Sequence, residues 1–308
     1  PACRTLDAVS IFALSCLDAE NVCSVMAENP VQPALKWKQF RFGIPRPEQL
    51  EYFGNKEGPQ LLEAACVVLE NLGGERVEID YDPFLKCADS LYNGPWVSQR
   101  LEAPAALLHR TGDDDPLHPV LRTILNGATK WTALDAYRAE AERQKFKSIS
   151  DKTWDIADVL VTPTAPRHYK ISEVEEDPIR TNSNMGYYTN FMNLLDMAAV
   201  SVPCGFQKDG MPFGVTISAP GWRDASLAAL GQEFQAASGI PTVLVNFFTL
   251  RYQPVCPLLI LVFNIVCVHQ KQFRLGRRMK ARISSLRSWL LRADWILHLI
   301  RVSAIVFD

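Results

Sequence analysis

The sequence lacks the cysteine pairs and histidine clusters that are typical of metal-binding and disulfide-stabilised proteins. Its eight cysteines contain no CxxC spacing, and none lies at metal-ligand spacing from one of the five histidines. These absences predict a reduced chain in the cytoplasm that holds no metal. No secretory signal follows Pro1, and no motif for an organic cofactor is found. We therefore expect no cofactor.

The composition excludes an intrinsically disordered chain. Of the 308 residues, 48% are hydrophobic and 21% are charged, which is ordinary for a globular protein. A chain of this length buries roughly three quarters of its unfolded surface, which is enough for a sizeable core.

The net charge of −2 hides a sharp asymmetry near residue 242. Residues 243–308 carry ten Lys or Arg against two acids, and the apolar run PVCPLLILVFNIVCV (254–268) precedes their basic part. This run of about 15 residues is shorter than the roughly 20 that span a membrane. We predict a folded part at 1–241 and a tail at 242–308 that was not selected for the same fold. A membrane anchor and a basic amphipathic helix at 271–300 are the alternatives, and no nucleic-acid-binding fold accompanies the basic charge.

The pattern of apolar residues in 1–241 predicts an α/β fold. Ser15–Glu28 reads as a helix capped by Ser15, and a helix at Pro59–Asn71 is stopped by Gly73-Gly74. Alternation then predicts a strand at Arg76–Ile79. We further predict helices within 84–109, 117–154, 187–197 and 223–237, strands at 41–44, 155–162, 200–202 and 215–218, and a loop up to Asn184.

Several stretches of this folded part resemble the amidase signature family. They are PACRTLDAVSIFA (1–13), SLYNGPWVSQRLEA (90–103), DVLVTPTAP (158–166), NLLDMAAVSVPCGF (193–206) and the longer AAVSVPCGFQKDGMPFGVTISAPGWRD (198–224). Their combination is similar to the amidase domain of allophanate hydrolases, which in fungi is often part of urea amidolyase. The resemblance covers about residues 1–241 and implies a mixed β-sheet flanked by helices.

The resemblance also implies the hydrolysis of an amide C–N bond of allophanate by a Ser–cis-Ser–Lys set. In that family the lysine and a Gly-Gly-Ser-Ser-Gly stretch lie upstream of the segment that matches PACRTLD. These 308 residues contain no Gly-Ser-Ser-Gly. We therefore expect the later part of an amidase domain, truncated and inactive by itself, with no catalytic residue in this chain. A half-open cleft and poor solubility are further expectations.

Other residues are weak substitutes for the missing nucleophile and base. Ser148 and Ser150 lie beside two lysines in FKSISDK (146–152), but nothing glycine-rich is near, so this stretch reads as the solvated end of a helix. Cys204 follows a proline at a strand end without a nearby histidine, and it reads as structural. The isolated histidines read as surface or capping residues; they are His109, His118 and His168.

Tyr92 and Arg100 are the candidate substrate-binding residues. In allophanate hydrolases a Tyr and an Arg eight residues apart grip the substrate, and these two residues match that motif. Arginine suits the carboxylate of allophanate because its planar fork forms paired, charge-assisted hydrogen bonds. The spacing is close to two helical turns, although Pro95 makes a bend between them equally acceptable. From the residues alone, Tyr92 as a packing residue and Arg100 paired with an acid such as Glu102 remain alternatives.

Two other functions stay open. The chain is alternatively a non-catalytic remnant that binds a partner through an open sheet edge. It is alternatively a membrane-associated fragment that uses residues 243–300.

Overall fold

A computed structural model describes residues 3–27, 33–35, 37–102, 104–110, 112, 115–240 and 264–268. Their centre is a seven-stranded sheet with the strand order β1-β7-β5-β6-β4-β2-β3. The strands are β1 (Val9–Ala13), β2 (Phe40–Pro45), β3 (Gly74–Ile79), β4 (Val159–Pro163), β5 (Met197–Phe206), β6 (Pro212–Pro220) and β7 (Asn264–Val268). The α-helices are α1 (Cys16–Met26), α2 (Gly58–Asn71), α3 (Asp82–Asn93), α4 (Pro119–Ala128), α5 (Ala133–Ser150), α6 (Ile171–Glu176), α7 (Pro178–Met185) and α8 (Asp224–Ser238).

The sheet is mixed. Strand β2 runs parallel to both β3 and β4, whereas β4, β6, β5, β7 and β1 pair antiparallel in that spatial order. The parallel pair β2–β3 is joined by α2, which is the crossover helix that parallel neighbours require. The expectation of a mixed sheet flanked by helices is confirmed.

The two faces of the sheet have different chemistry. Side chains alternate between faces along each strand. One face, here called the aliphatic face, packs Phe42, Val161, Val200 and Ile217 against α1, α2 and α8. The opposite face, here called the hydroxyl face, carries the buried hydroxyls of Thr162, Ser201, Thr216 and Ser218. It also carries Leu160, Met197 and Ala199, which pack with α3 and an aromatic cluster formed by Tyr81, Phe84, Tyr188 and Phe191.

Local signals place several helix ends correctly. The Ser15 hydroxyl accepts a hydrogen bond from the Asp18 N–H at 3.1 Å and caps α1. Gly73 ends the turn after α2 with φ of 94°, a left-handed conformation that suits glycine. A side chain there would also meet the carbonyl oxygen of Lys38 at 2.4 Å.

Two predictions of secondary structure are wrong. The polar stretch before Asn184 contains helices α6 and α7, and the second of these is capped by the side chain of Asp177. The predicted helix at 187–197 is a series of turns that runs directly into β5. Its hydrogen bonds are irregular, with the Met197 N–H reaching the carbonyl of Met192, and Asp196 has φ of 54°. Burial of this apolar stretch, with Tyr188, Phe191 and Leu194 all inaccessible, produced the helix-like pattern.

Most of the tail lies outside the described residues. The predictions of a membrane anchor, of an amphipathic helix at 271–300 and of unselected sequence concern residues 243–263 and 269–308 and are left as predictions. Within the tail, 264–268 form strand β7 between β1 and β5. In the part of the chain that the structure describes, no helix has the length and apolar character needed to cross a membrane.

Candidate substrate-binding site

Helix α3 presents Tyr92 at its carboxyl end. Phe84, Cys87 and Ala88 anchor the helix by packing on the hydroxyl face. The helix stops at Gly94, where a Cβ would lie 2.4 Å from the carbonyl oxygen of Ser90. This close approach favours glycine and turns the chain sharply.

A 3-10 helix at Pro95–Leu101 follows the turn and carries Arg100. Pro95 occupies its first position, where the missing N–H costs no hydrogen bond. Tyr92 and Arg100 therefore lie on two short helices with a bend between them, rather than on one continuous helix.

The bend brings the two candidate side chains into contact. The Cζ atom of Arg100 lies 4.8 Å from the centre of the Tyr92 ring, which is the geometry of a cation–π pair. Glu102, the alternative partner of Arg100, instead forms an ion pair of 2.5 Å with Arg4. Within the described part of the chain, no carboxylate forms an ion pair with Arg100. The guanidinium thus has a planar support but no anionic partner there.

The amino-terminal segment, residues 3–7, docks on the same 3-10 helix. The side-chain oxygen of Gln99 accepts hydrogen bonds from the Cys3 thiol at 3.0 Å and from the N–H and hydroxyl of Thr5 at 3.2 and 3.0 Å. The segment itself is closed by the Cys3 N–H, which donates to the Asp7 carboxylate at 2.9 Å. The motif that opens the sequence and the motif that carries Arg100 therefore form one structural unit.

Burial and the charged groups of this unit shift the pKa of the Cys3 thiol. Burial raises the pKa of the Cys3 thiol to about 11, and the Asp7 carboxylate adds to that rise. The Arg100 guanidinium acts in the opposite direction, so its positive charge lies within electrostatic reach of Cys3. At neutral pH the thiol is protonated and serves as the hydrogen-bond donor to Gln99.

Among the residues it describes, the structure does not place Ser148, Ser150 or Cys204 as a nucleophile beside a base. Ser150 is buried at the end of α5 and donates to the carbonyl of Lys147, while the Lys147 ammonium pairs with Asp151 at 2.9 Å. Ser148 is exposed on the same helix. The Cys204 thiol is buried against the carbonyl of Leu61, and burial raises its pKa to about 12.

The three histidines of the folded part are dispersed. His109 is exposed, and His118 caps α4 by accepting from the Val120 N–H. His168 is half-buried and hydrogen-bonds the carbonyl of Pro212 at 2.6 Å. In the described ranges, no group of three His, Cys, Asp or Glu side chains is placed to hold a metal ion.

Two clefts of about 720 and 340 Å³ are described, and neither includes Tyr92 or Arg100 in its lining. The larger runs between α3 and α5, past Asp89, Pro95 and Trp131. Neither cleft is therefore the half-open cleft that was expected to face Tyr92 and Arg100.

Gln99, Cys3 and Thr5 are the site residues that sequence reasoning missed. Both motifs stood out in the sequence, but no local pattern signals a hydrogen bond between residues more than 90 positions apart.

Comparison with known proteins completes the description of the site. A family model described as Amidase matches residues 2–228. The urea amidolyase of Lachancea kluyveri is 37% identical over 245 residues, and that of Saccharomyces cerevisiae is 34% identical over 244; each match covers 76% of this chain and 13% of the relative. Among solved structures, Kluyveromyces lactis allophanate hydrolase superposes with a TM-score of 0.73 at 35% identity, covering 77% of this chain and 40% of that one. The chain thus spans a minor part of the length of the proteins it matches.

Proposed function

This chain belongs to the amidase family, and we propose that residues 3–240 form the substrate-binding part of an amide hydrolase of the allophanate hydrolase type. In this proposal Arg100 binds the carboxylate of allophanate. Tyr92 supports the guanidinium, and its hydroxyl donates a hydrogen bond to the substrate. The hydrolysed bond is the amide C–N bond of that substrate. The similarity to allophanate hydrolase and urea amidolyase over three quarters of the chain supports the choice of substrate class.

One observation carries the assignment of the two residues. The Arg100 guanidinium lies over the Tyr92 ring, and the acid Glu102 forms an ion pair with Arg4. An arginine that lies over an aromatic ring, and that forms no ion pair with any residue that the structure describes, is available to bind a planar carboxylate.

The proposal separates binding from cleavage. The Ser–cis-Ser–Lys set that the family resemblance implies is not found in these 308 residues, because they contain no Gly-Ser-Ser-Gly. We therefore expect these residues by themselves to bind the substrate without releasing ammonia from it. Loss of a catalytic unit removes several orders of magnitude of rate.

The binding test uses malonamate, in which a methylene replaces the central N–H of allophanate, so that the ligand keeps the carboxylate that Arg100 is proposed to bind. Isothermal titration of the full chain should give saturable binding. Arg100→Gln should weaken it by about 10- to 100-fold, because a charge-assisted hydrogen bond contributes about 1.5–3 kcal/mol. Tyr92→Phe should weaken it by less, about 2- to 10-fold.

The matched control is Arg138→Gln, which removes the same charge from an exposed position on α5. It should leave the affinity unchanged. Equal affinity of the Arg100→Gln variant and the unaltered chain, or no binding by the unaltered chain, would refute the proposal. Ammonia release above background by the purified chain would refute the separation of binding from cleavage.

A further inference from the structure

Three hydrogen-bond donors converge on one oxygen of Gln99. The Cys3 thiol, the Thr5 N–H and the Thr5 hydroxyl all lie within 3.0–3.2 Å of its Oε1 atom. Because donors surround this atom, it is the amide oxygen that faces them and the amide nitrogen that points away. Three donors around one acceptor would suit a carboxylate at least as well as an amide, since a carboxylate is the stronger acceptor. Hydrogen bonding alone therefore does not explain why position 99 carries a neutral glutamine rather than a glutamate.

Arg100 supplies that explanation. It follows Gln99 directly on the 3-10 helix, and the Cys3 thiol that donates to Gln99 is within electrostatic reach of its guanidinium. A carboxylate at position 99 would therefore stand beside the positive charge and attract it. A neutral amide accepts the same three hydrogen bonds and leaves that charge available.

The amino-terminal segment also engages the other nearby acids. Arg4 pairs with Glu102, and the Asp7 carboxylate accepts from the Cys3 N–H. Thus both acids have partners in the segment that also fixes the 3-10 helix, Glu102 with Arg4 and Asp7 with the Cys3 N–H.

We propose that Gln99 is a positioning and specificity-determining residue of the substrate-binding site. As a neutral acceptor it fixes the 3-10 helix Pro95–Leu101 on the segment of residues 3–7, and it reserves Arg100 for the carboxylate of a ligand. This inference rests on the proposed function, because it assumes that Arg100 binds that carboxylate.

The decisive variant is Gln99→Glu, which keeps the acceptor and the shape and adds only the charge. In the full chain it should keep the melting temperature within about 2 °C, since the three hydrogen bonds have a partner. Its affinity for malonamate, measured by isothermal titration, should fall at least tenfold, and the remaining binding should depend less on salt. Gln99→Leu should lower both the melting temperature and the affinity, because it removes the acceptor.

Gln60→Glu is the matched control, since it makes the same chemical change at an exposed position of α2. It should bind malonamate as the unaltered chain does. The inference is overturned if Gln99→Glu binds malonamate as tightly as the unaltered chain while Arg100→Gln does not bind. It is also overturned if Gln99→Glu melts as low as Gln99→Leu, since Gln99 would then act through folding alone. If Arg100→Gln itself binds normally, the proposed function fails first.

Discussion

The two faces of the sheet divide stability and candidate function between them. On the aliphatic face the strands pack apolar side chains against α1, α2 and α8. On the hydroxyl face the same strands alternate apolar residues with Thr162, Ser201, Thr216 and Ser218, and α3 packs there and carries Tyr92. A core that has only to be stable has no need of buried hydroxyls, because each one requires a hydrogen-bond partner. The helix that carries Tyr92 thus packs on the face of the sheet that also carries the buried hydroxyls.

The largest expected effect comes from breaking the aliphatic face. Phe42 is fully buried in the core on this face. Phe42→Ala should lower the free energy of unfolding by about 3–5 kcal/mol, because apolar burial is lost and a cavity is left behind. Urea denaturation measures the change. The affinity of the folded fraction for malonamate should be unaltered, since the site lies on the other face.

Val67→Ala is the control for this prediction, because Val67 lies on the exposed side of α2. It should change the unfolding free energy by less than about 0.5 kcal/mol. An unshifted urea midpoint for Phe42→Ala would show that the aliphatic face is not the main source of stability.

An intermediate effect is expected from alkaline pH. Burial raises the pKa of Cys66, on the aliphatic face, and of Cys87, on the hydroxyl face, to about 12. An acidic group with a raised pKa in the folded state stabilises the fold fully below its unfolded pKa of about 8.5, and that stabilisation is lost as pH rises toward the folded pKa. Each thiol should therefore make the unfolding free energy fall by up to about 1.4 kcal/mol per pH unit between pH 9 and 10.

Urea midpoints at pH 8, 9 and 10 measure this slope, and they compare the two faces directly. Cys66→Ala and Cys87→Ala should each flatten it, whatever they do to stability at pH 8. If both variants keep the slope of the unaltered chain, these thiols are not the groups that titrate.

The smallest effect should come from the hydroxyl face itself. The Thr162 hydroxyl is buried without a partner among the described residues, so Thr162→Val should leave the stability unchanged or raise it by up to about 1 kcal/mol. Thr216 donates to the Thr164 hydroxyl at 3.0 Å, so Thr216→Val should cost about 1 kcal/mol. Urea denaturation distinguishes the two. Equal losses would show that the Thr162 hydroxyl has a partner elsewhere.

Local signals in the sequence were sufficient for elements that depend on local physics. The Ser15 cap and the Gly73 stop are encoded by neighbouring residues, and both were predicted. The stretch 187–197 was misread as a helix because burial on all sides imitates a helical stripe. Strand β1 was not predicted at all, since its partner β7 lies at the other end of the chain.

The residues of the candidate site also fall into those that the sequence predicts and those that only the tertiary structure shows. Tyr92 and Arg100 were identified through a family motif, and their contact in the structure is consistent with their joint role, which stays a proposal. The docking of Cys3 and Thr5 on Gln99 depends on the tertiary fold, and sequence reasoning had no means to find it.

The position of β7 sets an order of events during synthesis. Val9 pairs with Val268, so β1 is synthesised long before the strand that it pairs with. Until then β1 and β5 both wait for the strand that will lie between them. Contacts this distant along the chain close slowly, and unpaired strands are open to wrong partners in the interval. A nascent chain of this protein therefore depends on protection of β1 until residues 264–268 have been synthesised.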